Sequence, residues 1–367
     1  MAESIRQRKE EHVELAASRD VEARDGPGWR EVHLLHSSLP EIDQGEIDCS
    51  STFLGRRLRL PLIIAGMTGG SGRTAAINAV LARAAERHGL AFGVGSQRAG
   101  LQAAELADSY AIARREAPSA FLVANVGAPQ LIPQDGGPPL RPEQILEAAR
   151  MIEADALAVH LNFLQEAIQP EGDRRARGCT DAIARLAADL PLPVIAKETG
   201  AGMTRVVAYR LRSCGVAALD VGGRGGTSFA AVEGMRAAAR EKSEQARLGE
   251  VFRDWGVPTA VSVCEAVPSG LPVIATGGIR SGLDAAKAIA LGATLAGVAR
   301  PLLQRALEGE VALENWLRQF EAELRTAMFL TGCRRVAELQ RQRTVVVGET
   351  LQWIRQLSDG AAATGGV

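Results

Sequence analysis

Residues 156–175 read ALAVHLNFLQEAIQPEGDRR. The stretch begins as a short apolar run of strand type and then places His160, Asn162, Gln165 and Glu166 within seven residues. A proline, a glycine and four charged residues follow at once, the composition of a loop. Polar groups bunched where a buried strand emerges are costly in a core and useful at a site, and strand ends of this kind build the active sites of (β/α)8 barrels.

Working outward, the same rhythm recurs. Apolar runs lie at 62–66, 90–95, 121–126, 156–161, 193–198, 217–222, 272–277 and 294–299. Alanine-rich segments of helical spacing separate them, at 74–88, 143–153, 179–189, 204–214 and 282–291. Runs of Val, Ile, Leu and Ala without strict alternation suit a parallel sheet covered on both faces. Eight strand-then-helix units in about 240 residues match the usual size of a (β/α)8 barrel, with a doubly wound open sheet as the alternative.

The flanking regions read differently. Residues 1–60 form an N-terminal arm, helical over roughly its first 25 residues, and an irregular lead-in with a short candidate strand at 46–48. Residues 61–367 form the barrel. Within it, 223–257 is too long for a simple loop and reads as a mobile glycine loop followed by a lid-like helical insertion. Residues 311–330 predict a further helix and 344–357 a C-terminal helical addition, before a tail (Ala-Thr-Gly-Gly-Val) expected to be disordered.

With 46% hydrophobic and 23% charged residues over 367 positions and a net charge of -1, the composition is that of an ordinary globular protein. Near-neutral charge argues against a nucleic-acid-coating role, so any phosphate recognition is local. The five cysteines form no CxxC pair, which fits a reducing, cytoplasmic setting without structural zinc. The charged N-terminus is not a signal peptide, and no apolar run approaches a membrane span.

Every candidate strand ends in glycines or polar residues. TGGIRSG (276–282) and GVARP (297–301) follow the seventh and eighth strands, where barrels commonly hold a phosphate on backbone N–H groups. Arg280 or Arg300 could add charge there. Lys197 follows the fifth strand and suits an electron-rich cofactor atom or a phosphate. It faces away from its neighbour Glu198. Thr68, Ser96, Asn125 and Thr227 are neutral rim donors fit for a heterocycle and a ribityl or ribose chain. Arg8, Lys9 and His12 read either as a solvated helix face or as an arm closing over a diphosphate. His160 and Asn162 share one face at a period of two, and Glu166 alone carries the charge to hold a hard divalent cation. Glu171 and Asp173 are supporting groups or loop solvation.

These motifs resemble type 2 isopentenyl diphosphate isomerases, the flavin-dependent form. The matching stretches are RKEEH (8–12), EIDQGEIDCSSTFLG (41–55), GMTGG (66–70), GVGSQR (93–98), ANVGAPQ (124–130), HLNFLQEAIQPEGDR (160–174), KETGAG (197–202), DVGGRGGTS (220–228), TGGIRSGLDAAKAIALGA (276–293) and GVARPLL (297–303). The resemblance implies a (β/α)8 barrel with FMN, Mg2+ and a nicotinamide nucleotide, NAD(P)H, as flavin reductant. It implies interconversion of isopentenyl and dimethylallyl diphosphate, an isoprenoid-forming step.

By motif match, Met67, Thr68, Gly69, Ser96, Asn125, Lys197, Thr227, Gly277, Gly278, Arg280, Ala299 and Arg300 would contact FMN. Arg8, Lys9, Ser96, Gln97, Arg98, His160, Asn162 and Gln165 would surround the substrate, and Glu166 would bind Mg2+. Gln165 and Lys197 are the catalytic candidates, one positioning the substrate and the other stabilising anionic reduced flavin, with the proton chemistry assigned to the flavin. The family often has a small polar residue where this chain has Gly222, so a side-chain bond to the flavin phosphate is expected to be missing there, replaced by a backbone N–H or water. The apolar C-terminal addition suggests self-association, as a tetramer or octamer. Rival readings are another FMN-barrel oxidoreductase and a non-catalytic flavin or phosphate-ligand sensor. The oxidase lacks its histidine base, since no histidine follows Ala217, and a dehydrogenase of the nucleophilic-cysteine type lacks a cysteine in GGRGGTS.

Overall fold

The computed structural model describes residues 2–363. Eight parallel strands close into a barrel: β1 (Leu62–Ile64), β2 (Ala91–Gly93), β3 (Phe121–Gly127), β4 (Ala156–Leu161), β5 (Val194–Glu198), β6 (Ala218–Asp220), β7 (Val273–Thr276) and β8 (Leu295–Val298). Closure comes from the β8–β1 ladder, where Ala296, Gly297 and Val298 pair with Leu62, Ile63 and Ile64. That ladder excludes the open sheet. Each strand coincides with an apolar run of the sequence, β3 continuing one residue past it to Gly127, because a strand covered on both faces needs apolar side chains in both directions.

Period-two alternation divides each strand between two cores. Ile63, Ala91, Val123, Ala158, Ile195, Ala218, Ile274 and Leu295 fill the barrel interior as one cluster. Their neighbours Leu62, Leu122, Leu157, Val194, Leu219 and Val273 pack with the surrounding helices in the larger cluster. Two residues further along β3–β7, the inward set becomes Asn125, His160, Lys197, Asp220 and Thr276. The hairpin Ser51–Phe53/Arg56–Leu58 plugs the opposite end, with Phe53 edge-on to Phe121 at 5.7 Å.

The helices at Gly72–His88, Pro142–Met151, Cys179–Asp189, Arg205–Ser213 and Gly282–Ala290 match the alanine-rich segments to within a residue or two. Short elements depart from the sequence reading. The candidate strand at 46–48 is reduced to an isolated bridge between Asp48 and Arg335; Glu46 ends a 3-10 turn, Gln44–Glu46, in which the Asp43 backbone N–H donates to the Glu46 carboxylate at 3.0 Å. The 344–357 addition divides into a strand, Thr344–Val346, and a helix, Gly348–Ala363. That strand pairs antiparallel with Val32–Leu34 and ties the lead-in to the C-terminal region. The residues beyond Ala363 lie outside the described residues.

The 223–257 insertion contains helices Phe229–Ala238 and Ser243–Val251 ahead of the crossover helix Thr259–Ala266. The glycine loop before them, expected to be a mobile flap, is buried over 222–226. Residues 21–27 are strapped across it: Ala23 N–H donates to Gly226 O (3.0 Å), and Ser228 N–H donates to Val21 O (2.7 Å). Gly225 has φ +118°, and a Cβ there would lie 2.2 Å from Pro27 N. The loop is a packed wall in this structure.

The long helix Glu310–Leu330 packs on Gly282–Ala290 through close backbone approach. A Cβ at Gly282 would lie 2.1 Å from the Phe320 carbonyl oxygen. Gly282→Ala is therefore expected to cost about 1–3 kcal/mol of stability, read as a lower denaturant midpoint, since the helix must shift to admit the methyl group.

Candidate active site

All eight strand ends, the arm helix Ala2–Ser18 and the first insertion helix line one cavity at the C-terminal rim of the barrel. Most of the candidate residues meet there: Arg8, Lys9, Met67, Ser96, Arg98, Asn125, His160, Asn162, Gln165, Glu166, Lys197, Thr227, Gly277, Gly278, Arg280, Ala299 and Arg300. The strands arrive in chain order, so the β2–β4 loops and the β6–β8 loops occupy opposite arcs of the rim. Val13, Ala16, Met67, Phe229 and Val232 supply apolar lining.

Three candidates do not line the cavity. Gln97 is fully buried behind it; its amide donates to Ala148 O (2.7 Å) and accepts from Asn125 N–H (2.9 Å). Thr68 turns inward to Asn78. Gly69, at φ +141°, has no room for a side chain, because a Cβ would lie 1.9 Å from the Tyr110 ring. These residues follow the same strands as the lining residues but face the helices. Gly222 is confined in the same way: with φ +45°, a Cβ would lie 2.1 Å from Glu198 O. A side chain at 222 has no space in this backbone arrangement.

On the β2–β4 arc, cations gather. Burial, together with the charges of Arg8 and Arg98, pulls the Lys9 ammonium down to about 7. Lys9 Nζ donates to Ser96 O at 3.3 Å. Arg98 pairs with Asp173 at 2.7 Å, and Arg8 lies 3.8 Å from Glu171. Thus the two loop acids balance the arginines. Such a cluster, screened from water and partly neutralised, is suited to a polyanion with several oxygens.

His160 holds no positive charge of its own here. Burial and the cations Lys9 and Lys197 depress it to about 3. Its Nδ1 lies 2.8 Å from Asn125 Oδ1, and Asn125 Nδ2 donates to Val94 O at 3.0 Å. Because that amide nitrogen is already donating to Val94, Asn125 Oδ1 must accept, and Nδ1 carries the proton. His160 Nε2 is left as an acceptor in the neutral ring.

Glu166 is buried and raised by burial, with Asp173 N–H and Asn162 Nδ2 each donating to its carboxylate at 2.8 Å. Asn162 Oδ1 is buried without a partner. Among the described residues, no cluster of three His, Cys, Asp or Glu side chains is arranged to hold a metal ion. One carboxylate beside an unused amide oxygen fits a Mg2+ that takes its remaining ligands from substrate phosphate and water.

Gln165 is held by a residue with no motif of its own, Glu233 on the Phe229–Ala238 helix. Gln165 Nε2 and His12 Nε2 each lie 2.8 Å from Glu233 Oε1. Burial works against the Glu233 charge, yet His12, Arg236 and the Gln165 amide together bring its carboxyl down to about 2. Arg236 in turn bonds Glu11 (3.0 Å) and Glu171 (3.1 Å). Glu22 was likewise not legible. It bridges Arg280 (2.6 Å) and Arg300 (2.7 Å), the two arginines of the β7 and β8 loops. Spacing of an acid in an N-terminal segment gives no sign of partners some 260 residues away.

The chain matches the family model described as FMN-dependent dehydrogenase over residues 138–346. It is 49% identical to an isopentenyl-diphosphate delta-isomerase of Methanoregula boonei, covering 97% of both chains. It is 48% identical to the one of Halobacterium salinarum, over 95% of this chain and 96% of that one. This chain belongs to the isopentenyl-diphosphate delta-isomerase family. A Pediococcus acidilactici protein titled a putative lactate oxidase has the same fold, with a TM-score of 0.65 at 16% identity over 95% of this chain and 94% of that one.

The family assignment agrees with the donor set. Gly277 (φ +127°) and Gly278 (φ +67°) adopt turns that favour glycine and keep backbone close to the cavity, and the helix Arg300–Glu308 starts at the rim, where Leu302 and Leu303 N–H donate to Ala299 O at 3.1 Å. Together with Lys197 and Asn125, these groups fit a flavin mononucleotide, whose phosphate suits a helix N-terminus.

Two measurements test this geometry. Gln97→Ala leaves two buried backbone groups unpaired and is expected to cost about 1–3 kcal/mol in stability. Its substrate KM should move less than that of Arg98→Ala. The second concerns pH. Lys9 is charged below about 7 and must take up a proton to meet an anion above it. KM for a diphosphate should therefore rise with pH above 7, by at most about tenfold per unit. Lys9→Arg, which stays charged, should flatten the profile.

Proposed function

We propose that the protein interconverts isopentenyl diphosphate and dimethylallyl diphosphate, with FMN across the strand ends and Mg2+ at Glu166. The observation that carries this reading is the meeting of His160, Asn162, Gln165 and Glu166 in one cavity with Arg8, Lys9 and Arg98, opposite the glycine loops of β7 and β8. The cations and Asn162 hold the diphosphate, and Glu166 meets the metal that it brings. Phosphate beside His160 offers its Nε2 the charge needed to become a donor.

The apolar lining at Val13, Met67, Phe229 and Val232 accepts the isoprenyl chain. The arm helix and the insertion helix cover it, which excludes water from an allylic diphosphate prone to ionise. Among the described lining residues, the acidic and cationic side chains are taken up by the diphosphate, the metal and the flavin, and none is left for the reacting carbons. Bound FMN, once reduced, would supply a group able to give and take a proton there. Gln165 orients the chain, its amide fixed by Glu233, and Lys197 supplies the positive charge beside the reduced ring. The reading includes a nicotinamide nucleotide as reductant, a cytoplasmic setting and self-association. In support, the described cysteines are free, no described helix is long and apolar enough to cross a membrane, and Val251, Trp255 and Val311 are exposed.

Purified protein should be yellow and should isomerise isopentenyl diphosphate only after reduction of the flavin. Glu166→Gln should weaken Mg2+ by at least about 10- to 100-fold, the range that even supporting groups command at metal sites. FMN, measured by absorbance, should stay bound. Near-normal turnover of Glu166→Gln at low Mg2+ would remove the metal assignment.

A further inference from the structure

Lys197 and Asp220 are direct partners in the parallel β5–β6 ladder, so their side chains emerge at one level on one face. Period two from Ile195 and Ala218 turns both into the barrel interior. Lys197 Nζ lies 2.9 Å from Asp220 Oδ2, and the Lys197 and Asp220 side chains are only 12% and 4% exposed. An ammonium has three N–H donors. One goes to Asp220, a second to Glu198 O at 3.2 Å, and Lys197 also lines the rim cavity. Asp220 does not reach that cavity. It lies beneath, at a small void of about 20 Å3 lined mainly by residues such as Ile63, Val123, Ile195 and Ile274.

The surroundings make this pair the dominant local charge. Within the inward-facing layer Asn125, His160, Lys197, Asp220 and Thr276, the His160 ring is held neutral by burial. Asp220 and Lys197 are then its charged members. Apolar packing below keeps the effective dielectric low, so a charge left unbalanced there would be felt across the cavity floor. The second Asp220 oxygen accepts the Gly222 N–H at 3.3 Å, where the chain turns at φ +45° into the buried glycine loop. Both carboxylate oxygens are thus committed, and the carboxylate cannot swing away from Lys197 without releasing that turn.

We infer that Asp220 is a positioning residue for Lys197: it fixes the ammonium so that its remaining N–H faces the cavity, and it offsets the ammonium charge, holding down the reduction potential of the flavin bound above. The inference rests on the reading that FMN occupies the rim cavity with Lys197 beside it. An electron added to a flavin is favoured by a net positive charge nearby, so the neutralised pair leaves the oxidised form more stable than Lys197 alone would.

The experiment is a spectroscopic redox titration of FMN-loaded wild type, Asp220→Asn, Lys197→Met and the double variant. Asp220→Asn is expected to shift the midpoint potential positive, and Lys197→Met to shift it negative. In the Lys197→Met background, Asp220→Asn should shift it by clearly less than in wild type, since the share of the effect that runs through holding the Lys197 ammonium is gone and only the carboxylate's own field remains. A folded, flavin-loaded Asp220→Asn with an unchanged or more negative potential overturns the proposal. So does an equal positive shift in the Lys197→Met background, which would make Asp220 act without Lys197. If Asp220→Asn does not fold, Asp220→Ser is measured in its place, and failure of both variants to fold assigns Asp220 to the Gly222 turn alone and also overturns it. Failure of the underlying reading looks different: Lys197→Met would then leave both the potential and FMN affinity unchanged.

Discussion

Closure of the parallel ladder between β8 and β1 is the constraint on which the rest of the structure depends. A closed barrel has no sheet edge, so every strand is covered by helices outside and by other strands' side chains inside. The interior has to be filled to the point where the strands end. Up to Ile195, Ala218 and Ile274 that filling is apolar. One step further, the inward positions lie at the mouth and become Asn125, His160, Lys197, Asp220 and Thr276. Thus the pattern that stabilises the barrel also aims the polar set at one place.

Binding that polar set together needs elements from outside the barrel. The arm helix and the insertion helix meet at Glu233 and Arg236, where His12, Glu11, Gln165 and Glu171 converge. Buried networks of this kind are favourable only when every member is paired, since each unpaired charge would carry its full desolvation cost. The arm is therefore held by the residues that orient Gln165. A second clamp lies across the rim, where Glu22 joins the arginines of the β7 and β8 loops and the 21–27 strap covers the glycine loop. Both clamps hold residues that line the same cavity, the first Gln165 and His12 and the second Arg280, Arg300 and Gly226.

Burial also decides which groups can work as charges. Lys9 sits near 7 and His160 near 3, in each case chiefly through desolvation. Glu198, on the opposite face of β5 from Lys197, is raised to about 7 by burial even though three backbone N–H groups, of Gly200, Ala201 and Gly202, donate to it. Its role is to close the loop after β5, while Lys197 faces the interior and Asp220. Two adjacent residues on one strand thus serve different purposes because they face opposite ways.

The eight strands, their parallel arrangement and most rim residues were legible in the sequence because covered strands need unbroken apolar runs, and because polar residues at their ends have few other uses. His160, Asn162, Gln165 and Glu166 could be picked out for that reason. The three-residue pairing of Val32–Leu34 with Thr344–Val346 was not legible, since so short a strand carries no periodicity. Gln97, Thr68 and Gly69 follow the same strands as the site residues, and only packing showed that they face Asn125, Asn78 and Tyr110 instead. Sequence by itself determined which strand ends bear the chemistry, because local hydrophobic pattern specifies where a buried strand surfaces. Only the tertiary structure decided the partners Glu22, Glu233 and Asp220, because each acts through residues brought beside it by barrel closure and the arm, and contacts across such separations leave no spacing to read.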